Sequence, residues 1–565
     1  MKRGIDRLLS EGKGKQLLWL LVISVGIMAV VLFVSSFFIK DLKWQQVVSV
    51  FLDPGCFNSA PEGAEWLLLP LALFSLVILS GLMVSTFTNV VENISDSVHA
   101  GERRYRFNNH VLIIGAGKQL APMLAALAED KRNIVVMSES RPTEDGNYTY
   151  YCGRRDSIED LKSALPAKAS VIYIIGEDQE PDHDAKSLRA VDLLKELTEN
   201  AENEIQCYMT LQERVSSEVY EYLHQPVVGK LLLVDVINVY EYMAERLMVD
   251  SDFLPAIKQG DGRRSHVVIY GTGQVAHNVA NTVAHISHYP SYPEAGVKTC
   301  ITLVGCGMKR YMDNIIASRP ALFDLSVYRY IDACGKVEEH RPAKDFLDVE
   351  WEFVDTYDSS SLSRDMLRRI CASPDEILTV VVAEEDPARA TETALHFPRE
   401  VYDCNIAVYM DESAEVLELS RRTEMFGNIS VFGSASGAIS DPLFRTRSIR
   451  GQRVNFIYDQ MYVKSRSIEE AWYSLPEVNK YSSIYCAMSM PMRKRCYDMD
   501  GDRMPVYEAE HRRWMMSMLI MGTRPGEIRD KARFIHNDIV PFDELTPEEQ
   551  EKDKILIDAM PDILA

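Results

Sequence analysis

Four stretches of the chain carry side chains whose types and spacing could do chemistry. Two are glycine turns, Gly115-Ala-Gly117 after "HVLII" and Gly271-Thr-Gly273 after "HVVIY". In a Gly-x-Gly-x-x-Gly turn the first glycine permits the bend, the second lets backbone approach a pyrophosphate, and the third lets the helix pack on the sheet. The first copy has Leu120 at the third position, while the second keeps a small residue, Ala276. A dinucleotide site also wants an acid after the next strand to hold ribose hydroxyls. Glu139, after "NIVVMS", meets that need in the first copy, and "CITLVG" in the second ends without one. Each half keeps a different part of the fingerprint. NAD or another nucleotide in one half, and a purely structural turn, are both open.

The third stretch is a pair of acidic turns, Gly176-Glu177-Asp178 and Glu384-Glu385-Asp386, each just after a strand-like run. Their carboxylates could hold calcium or another divalent cation, or could be solvated loop acids. The fourth lies near the C-terminus, where His511, Trp514, Met515 and Met518 fall on one helical face with Arg512 and Arg513 beside it. An indole can stack a base and a guanidinium can pair a phosphate. Met515 and Met518 read as core, whereas His511, Arg513 and Trp514 are open between core and pocket. No Cys/His/Asp set or paired carboxylates converge by spacing, so an enzyme, such as a membrane-tethered oxidoreductase, ranks third among the readings. The ten cysteines are scattered without Cys-x-x-Cys spacing and read as reduced small hydrophobes.

The elements that must position these groups follow from composition and pattern. A chain of 565 residues is too long for one core, and a formal charge of −22 argues against nucleic acid as the main partner. From Leu17 to Ile39 there is no charged residue, a helix of roughly 34 Å that suffices to cross a bilayer. A second uncharged run extends from Trp66 to Val91. Lys2, Arg3, Arg7, Lys13 and Lys15 precede the first run and Arg103, Arg104 and Arg106 follow the second, which places both ends and the large C-terminal body on the cytoplasmic side of a cell membrane. Between the runs, "FLDPGCFN" puts Asp53, Pro54, Gly55 and Asn58 after a short helix from Trp44 to Leu52 that reaches only partway across a bilayer. Backbone turned at membrane depth is tolerated only where it is buried or lines a water-filled path, and four copies of Asp53 would form a carboxylate ring there. An exposed Asp-Pro-Gly turn is the alternative.

Beyond the membrane part the chain repeats itself. "HVLIIGAGKQLAPMLAAL" is echoed by "HVVIYGTGQVAHNVANTV", and helix, strand and acidic turn recur in order from Asp156 and from Asp358. This predicts two doubly wound α/β domains, 108–250 and 264–440, after a pore domain and linker at 1–107. The linker, Glu92 to Asn109, should continue the second span as a helix and break near Gly101. The tail, 455–565, is rich in Met, Trp, Tyr and charged helix formers and should be mainly helical.

Two spans, a partial helix with "VVSVFLDPGCFN", the linker "ISDSVHAGERRYRFNNHVLIIG" and tandem Gly-x-Gly domains resemble cation channels gated by RCK (TrkA-N-like) domains, of the CASTOR/POLLUX type. The resemblance implies a tetramer around one pore, two spans plus a pore helix, with eight RCK units in a cytoplasmic ring. There is no Thr-Val-Gly-Tyr-Gly filter, so potassium selectivity does not carry over. The tail from Tyr507 to Lys554 resembles the RyR domain of ryanodine receptors through Glu510, His511, Arg513, Trp514, Gly522, His536, Val540, Pro541, Phe542, Leu545, Lys552 and Asp553, with Thr523 departing from the aromatic usual after the glycine. The resemblance implies that Glu510, His511, Arg513, Trp514 and His536 belong to a ligand surface.

The expectation is a ligand-gated cation channel and not an enzyme: a homotetramer in membrane lipid, passing monovalent or divalent cations, with a small-molecule or nucleotide ligand at the tail. The alternative is a non-conducting, membrane-anchored nucleotide sensor or a regulatory subunit of a transport or defence system.

Overall fold

Alternation of β-branched runs with helical spacing dictates most of what the computed structural model contains. It describes residues 13–39, 41–59, 61, 63–177, 180–213, 216, 220, 231–249, 253–357, 360–410, 416, 418, 422–433, 442–463, 466–497 and 501–565. The chain divides into two units, Met1–Arg103 and Arg104–Ala565.

In the first unit, helix α1 (Lys13–Phe38) is followed by α2 (Trp44–Leu52), a 3-10 turn (Pro54–Ser59) and α3 (Glu65–His99). Val47, Val50 and Phe51, three and four apart on α2, are buried against Leu68, Leu71 and Ala72 of α3 and Val31 of α1. The Ser75 hydroxyl donates to the Phe51 carbonyl and ties α3 to α2. Away from that core, Phe33, Phe37, Leu73, Leu76 and Val77 are each more than half exposed. Among the described residues no helix is long and apolar enough to cross a membrane. As the linker predicts, α3 runs on to His99, and Gly101 ends it in the left-handed region at φ 65°.

The second unit holds two parallel sheets. In the first, β1 (His110–Ile114), β2 (Ile134–Ser138), β3 (Thr149–Cys152), β4 (Ala169–Ile174), β5 (Ile205–Leu211) and β6 (Leu232–Asn238) lie in the order β3-β2-β1-β4-β5-β6. All pairings are parallel. Successive residues of β1 serve opposite cores: Leu112 and Ile114 pack with Val135 and Met137, while Val111 and Ile113 pack with Val136 and Tyr173. Burial on both faces is what a parallel sheet requires, and it explains the unbroken apolar runs.

The second sheet uses β7 (Arg264–Tyr270), β8 (Thr299–Gly305), β9 (Tyr328–Ile331), β10 (Val337–His340), β11 (Val349–Asp355), β12 (Glu376–Val382), β13 (Asn405–Tyr409) and β14 (Ile429–Phe432). Its order, β10-β9-β11-β8-β7-β12-β13-β14, contains the first sheet's order with β9 and β10 added at one edge. The addition ends in the only antiparallel pairing of this sheet among the described residues, β9 with β10. Both sheets are Rossmann-like, so the fold class expected for the body is present. The helix after β1, α4 (Leu120–Ala126), has seven residues.

The exit helix of the first sheet, α5 (Val239–Val249), joins two cores, with Tyr242 packed among Val111, Ile113 and Ile237 of its own sheet. Its Met243 and Leu247 share a core with Val279 and Val283 of α6 (Gln274–Ile286), the helix after β7. A helix on the outer side of the second sheet, α7, spans Ser361–Ala372. The tail is mainly helical, with α8 (Pro442–Asp459), α9 (Glu477–Cys496), α10 (Met504–Ile520) and α11 (Pro547–Asp558), plus two two-residue strands, β15 (Arg524–Pro525) and β16 (Ile535–His536). Tyr485, Met515, Met516 and Leu519 belong to the same core as Val279 and Val283. The tail and second sheet are therefore built around one interior, across the boundary at 440–455 that the sequence suggests.

Candidate functional site

Both glycine turns form as the sequence predicts, and both are closed by their own chain. Gly115 has φ 106°, and a Cβ there would lie 2.2 Å from the Gly176 carbonyl oxygen. That same carbonyl accepts the Gly117 amide at 3.0 Å. The Ala116 amide is taken by the Glu177 carboxylate, whose pKa burial raises even though this bond opposes it. In the second turn Gly271 has φ 130°. Glu385 places a carboxylate oxygen 2.9 Å from the Gln274 amide at the start of α6, where a Cβ on Gly273 would meet it at 2.2 Å. Amides that would cradle a pyrophosphate thus hold a backbone carbonyl and two glutamates. Ala276 is fully buried in α6, and Glu139 is exposed after β2 with its carboxylate 3.8 Å from Lys186 Nζ.

The acidic turns consequently do not form the cation site expected of them. Glu177 and Glu385 are committed to backbone amides, Glu384 lies 3.7 Å from the Arg389 guanidinium, and Asp178 is outside the described residues. Each of the three described acids is drawn to its own local partner, a backbone amide or the Arg389 guanidinium. Among the described residues, the group of metal-ligand type that does come together is His266, Cys300 and Glu352. There Thr302 Oγ1 sits between His266 Nε2 at 2.8 Å and Glu352 at 3.0 Å, and the group is joined by hydrogen bonds. In the first unit Asp53 ends α2, and its Oδ1 accepts the Gly55 amide at 2.9 Å, shaping the Pro54–Ser59 turn. Asn58 is exposed.

The tail gathers the remaining predicted residues. Glu510, His511, Arg513, Trp514 and His536 all line one cavity of about 170 Å³. The spacing of 510, 511, 513 and 514 puts four of them on successive turns of α10, and β16 supplies His536. His511 stacks on Trp514 with ring centroids 5.6 Å apart, and His536 meets the indole edge-on at 4.9 Å. His511 is fixed by the Val540 carbonyl at 2.8 Å on Nε2 and by Asp553 at 3.2 Å on Nδ1. Burial, with Arg529 next, lowers the His536 pKa to about 4, so this ring is neutral at physiological pH. Its Nδ1 accepts the Asp538 amide.

Glu510 and Arg513 serve the cavity wall differently from a free ligand pair. Arg513 and Arg493 both pair with Glu510, and all three side chains are essentially unexposed. Burial would raise the Glu510 carboxyl, but the two guanidinium charges override it and hold it at about 2. Arg513 Nη1 donates to Ser517 Oγ at 2.9 Å and to the Ser482 carbonyl at 3.3 Å. Its donors are spent inside the wall rather than offered to a phosphate.

Asn455, Asp538, Glu549 and Arg529, which sequence reasoning did not single out, complete the cavity together with Lys552. Asn455 of α8 is 4 % exposed, lines the cavity, and its Nδ2 has no hydrogen-bond partner. Asp538 and Glu549 bring two carboxyls together, with the Asp538 pKa pushed up by burial and by its bond to Glu549. Lys552 pairs with Glu549, and exposed Arg529 also borders the space. The cavity therefore offers an aromatic wall, buried donors and acceptors, and basic groups toward solvent. Asn455 carried no periodic or motif signal.

Hydrogen bonds and one ring stack connect the cavity wall to α6 and α5. Ser517, held by Arg513, lies 2.9 Å from His285 Nδ1 of α6. His285 stacks on Tyr485 at 3.9 Å, and the Tyr485 hydroxyl donates to Glu241 of α5 at 2.8 Å. Arg512 is anchored in parallel: its Nε donates to Asp348 at 2.9 Å, and His288 meets the other Asp348 oxygen at 2.7 Å. Burial opposes the Asp348 charge, but His288 and Arg512 hold its pKa at about 2.

No family model and no curated protein matches the chain. Among solved structures it is similar to the GsuK channel, at 12% identity and a TM-score of 0.40, over 76% of this chain and 96% of that one. It is also similar to the GsuK channel bound to NAD, at 10% identity and a TM-score of 0.39, over 78% of this chain and 89% of that one. The third is the human SLO3 gating ring, at 10% identity and a TM-score of 0.37, over 60% of this chain and 81% of that one.

Proposed function

We propose that the chain is the subunit of a ligand-gated cation channel, in which a small ligand at the tail cavity biases the two Rossmann-like domains and, through α3, a membrane pore. The observation that carries the ligand half is the cavity itself: an aromatic wall with a buried, unpartnered Asn455 amide, next to hydrogen bonds that run from Arg513 to α6 and α5. A ligand shifts a gate only by its differential affinity for the two states, so its site has to touch an element that differs between them. Helix α10 is the element placed to pass such a bias on, since it forms the cavity wall and packs on α6.

The pore half rests on the sequence of the first unit and on its exposed apolar side chains. Helices of 26 and 35 residues extend about 39 and 52 Å. Exposed Phe33, Phe37, Leu73 and Val77 suit hydrocarbon better than water. In this reading four chains enclose the pore, with the body cytoplasmic and Asp53 near its narrow part. A nucleotide is the ligand class that fits an indole wall with basic groups at the solvent side. The glycine turns, filled by Glu177 and Glu385, act as structural joints.

The test is reconstitution of the full chain in liposomes, with cation flux measured across a panel of nucleotides. Flux that responds to one of them, and is lost in Trp514→Ala, is expected; a folded tetramer that conducts no cation under any of them overturns the channel reading. The Asp53–Gly55 turn gives the non-conducting sensor its specific support, because Asp53 already has a local structural task. Asp53→Asn separates the two: altered conductance favours the pore, and unchanged ligand response without flux favours the sensor.

A further inference from the structure

Three strands of the second sheet bring donors of three kinds together. His266 on β7 and Cys300 on β8 are partners in register, and Glu352 on β11 is the partner of Thr302, two residues past Cys300 on the same face of β8. Long side chains on the two flanking strands thus lean over short ones on the strand between. A ring nitrogen of His266, the Cys300 sulfur and a Glu352 oxygen all lie within 4.8 Å of one another. His266 and Cys300 are buried, and Glu352 is partly buried.

Each outer donor is oriented by a second partner. Glu376 of β12 meets His266 Nδ1 at 3.2 Å, which turns Nε2 toward the group. Arg329 Nη1 donates to Glu352 Oε1 at 3.2 Å, which leaves Oε2 facing inward. A carboxylate behind the far ring nitrogen is the support that metal-bound imidazoles carry. Thr302 Oγ1 lies 2.8 Å from Nε2, 3.0 Å from Oε2 and 3.7 Å from Cys300 Sγ. With the ring proton on Nδ1, its single hydroxyl proton serves two acceptors, and a lone pair is left unmet between the donors.

The charges leave a remainder of the same sign. Glu350, Glu352 and Glu376 face two guanidiniums, Arg264 and Arg329, while Glu339 and Arg341 at the rim add one charge of each sign. One negative charge is left over. A Cys300 thiolate would make it two, which a divalent cation cancels.

We propose that His266 Nε2, Cys300 Sγ and Glu352 Oε2 bind one zinc-type divalent cation, with the Thr302 hydroxyl or a water as fourth donor. Mixed nitrogen, sulfur and oxygen donors suit zinc or cobalt, whereas calcium and magnesium take oxygen. Binding releases the Cys300 proton to solvent, and the ion enters past Glu352, whose side chain is 15% exposed. The ion would clamp β7, β8 and β11 together. Neither the tail cavity nor conduction enters this proposal.

The test uses the full chain in detergent, stripped with a chelator and titrated with cobalt(II) alone while absorbance is followed. One equivalent per chain and a thiolate-to-cobalt charge-transfer band are expected, both displaced by zinc. In Cys300→Ser the band should vanish. Glu376→Gln leaves all three donors in place and should weaken cobalt binding about 10–100-fold. Circular dichroism of each stripped variant separates lost binding from lost fold. Where Cys300→Ser does not fold, Glu352→Gln takes its place, and undiminished cobalt binding there overturns the proposal. A folded wild-type chain without the band overturns it as well. So does a band that persists in Cys300→Ser, which would assign the metal to another of the ten cysteines.

Discussion

The two glycine turns and the tail cavity form a pair of opposites. The turns have a motif associated with nucleotides, yet their amides are taken by Gly176, Glu177 and Glu385. The cavity has no phosphate-binding loop, yet it keeps a buried amide without a partner beside an indole and two basic side chains. What separates them is how far their polar groups are satisfied from within. A turn that supplies its own anion gains a fixed sheet-helix joint, and a cavity with an unmet donor gains from a ligand that meets it. A motif therefore identifies a backbone shape, while the state of its hydrogen bonds identifies a site.

The strongest way to break the contrast is to remove a charge that supports the cavity wall from behind. Arg493→Ala leaves Glu510 and Arg513 buried with one cation fewer, and should cost about 3–5 kcal/mol, read as a lower midpoint in urea. The same triad predicts a pH dependence. Glu510 is held at about 2 in the folded chain against an ordinary 4.5, so its contribution is complete above the ordinary value and is lost as pH falls from there toward 2. Urea midpoints for the wild type should fall across that window, and Glu510→Gln should flatten the fall.

Next in size is Gly115→Ala, expected to cost about 2–4 kcal/mol because the new Cβ meets backbone at Gly176 and φ is positive. Gly273→Ala should cost only about 1 kcal/mol, since the group it meets is the end of the Glu385 side chain, which can swing away. Equal losses at the two positions, measured by thermal unfolding, would remove the distinction between a backbone-closed and a side-chain-closed turn. In the cavity, Trp514→Ala should weaken nucleotide binding by about 1–3 kcal/mol in calorimetry. The smallest effect is expected from Glu385→Gln, about 0.3–1 kcal/mol of stability, from the weaker interaction with the start of α6.

Much of the body was legible because its signals are local. Four apolar residues followed by Gly115 or Gly271 announce a buried strand and a sharp turn, and both sheets and the two joints follow. His511 and Trp514 were legible as a pair because three positions on a helix are neighbours. What could not be read is what distance in the chain conceals. Glu385 looked like a cation ligand because it follows a strand, and its real partner, the Gln274 amide, is 111 positions away. Asn455 joins Trp514 in lining one cavity only once the tail has folded, and a single polar residue in a helix carries no periodicity to flag it. The sharing of α5 between two cores was equally silent, since Tyr242, Met243 and Leu247 would suit either sheet.

The shared interior of α6, α9 and α10 has a consequence for how such a protein can change over generations. Val279 and Val283 find their cover in Tyr485 and Met516, so a chain lacking the last hundred residues would leave α6 with an apolar side facing water. The tail cannot be exchanged as a ready-made cassette between relatives without rebuilding the sheet beneath it. New sensing specificity has to arise by single substitutions around the cavity, at positions such as Asn455, Asp538 and Glu549, while the packing side of the same helices stays as it is.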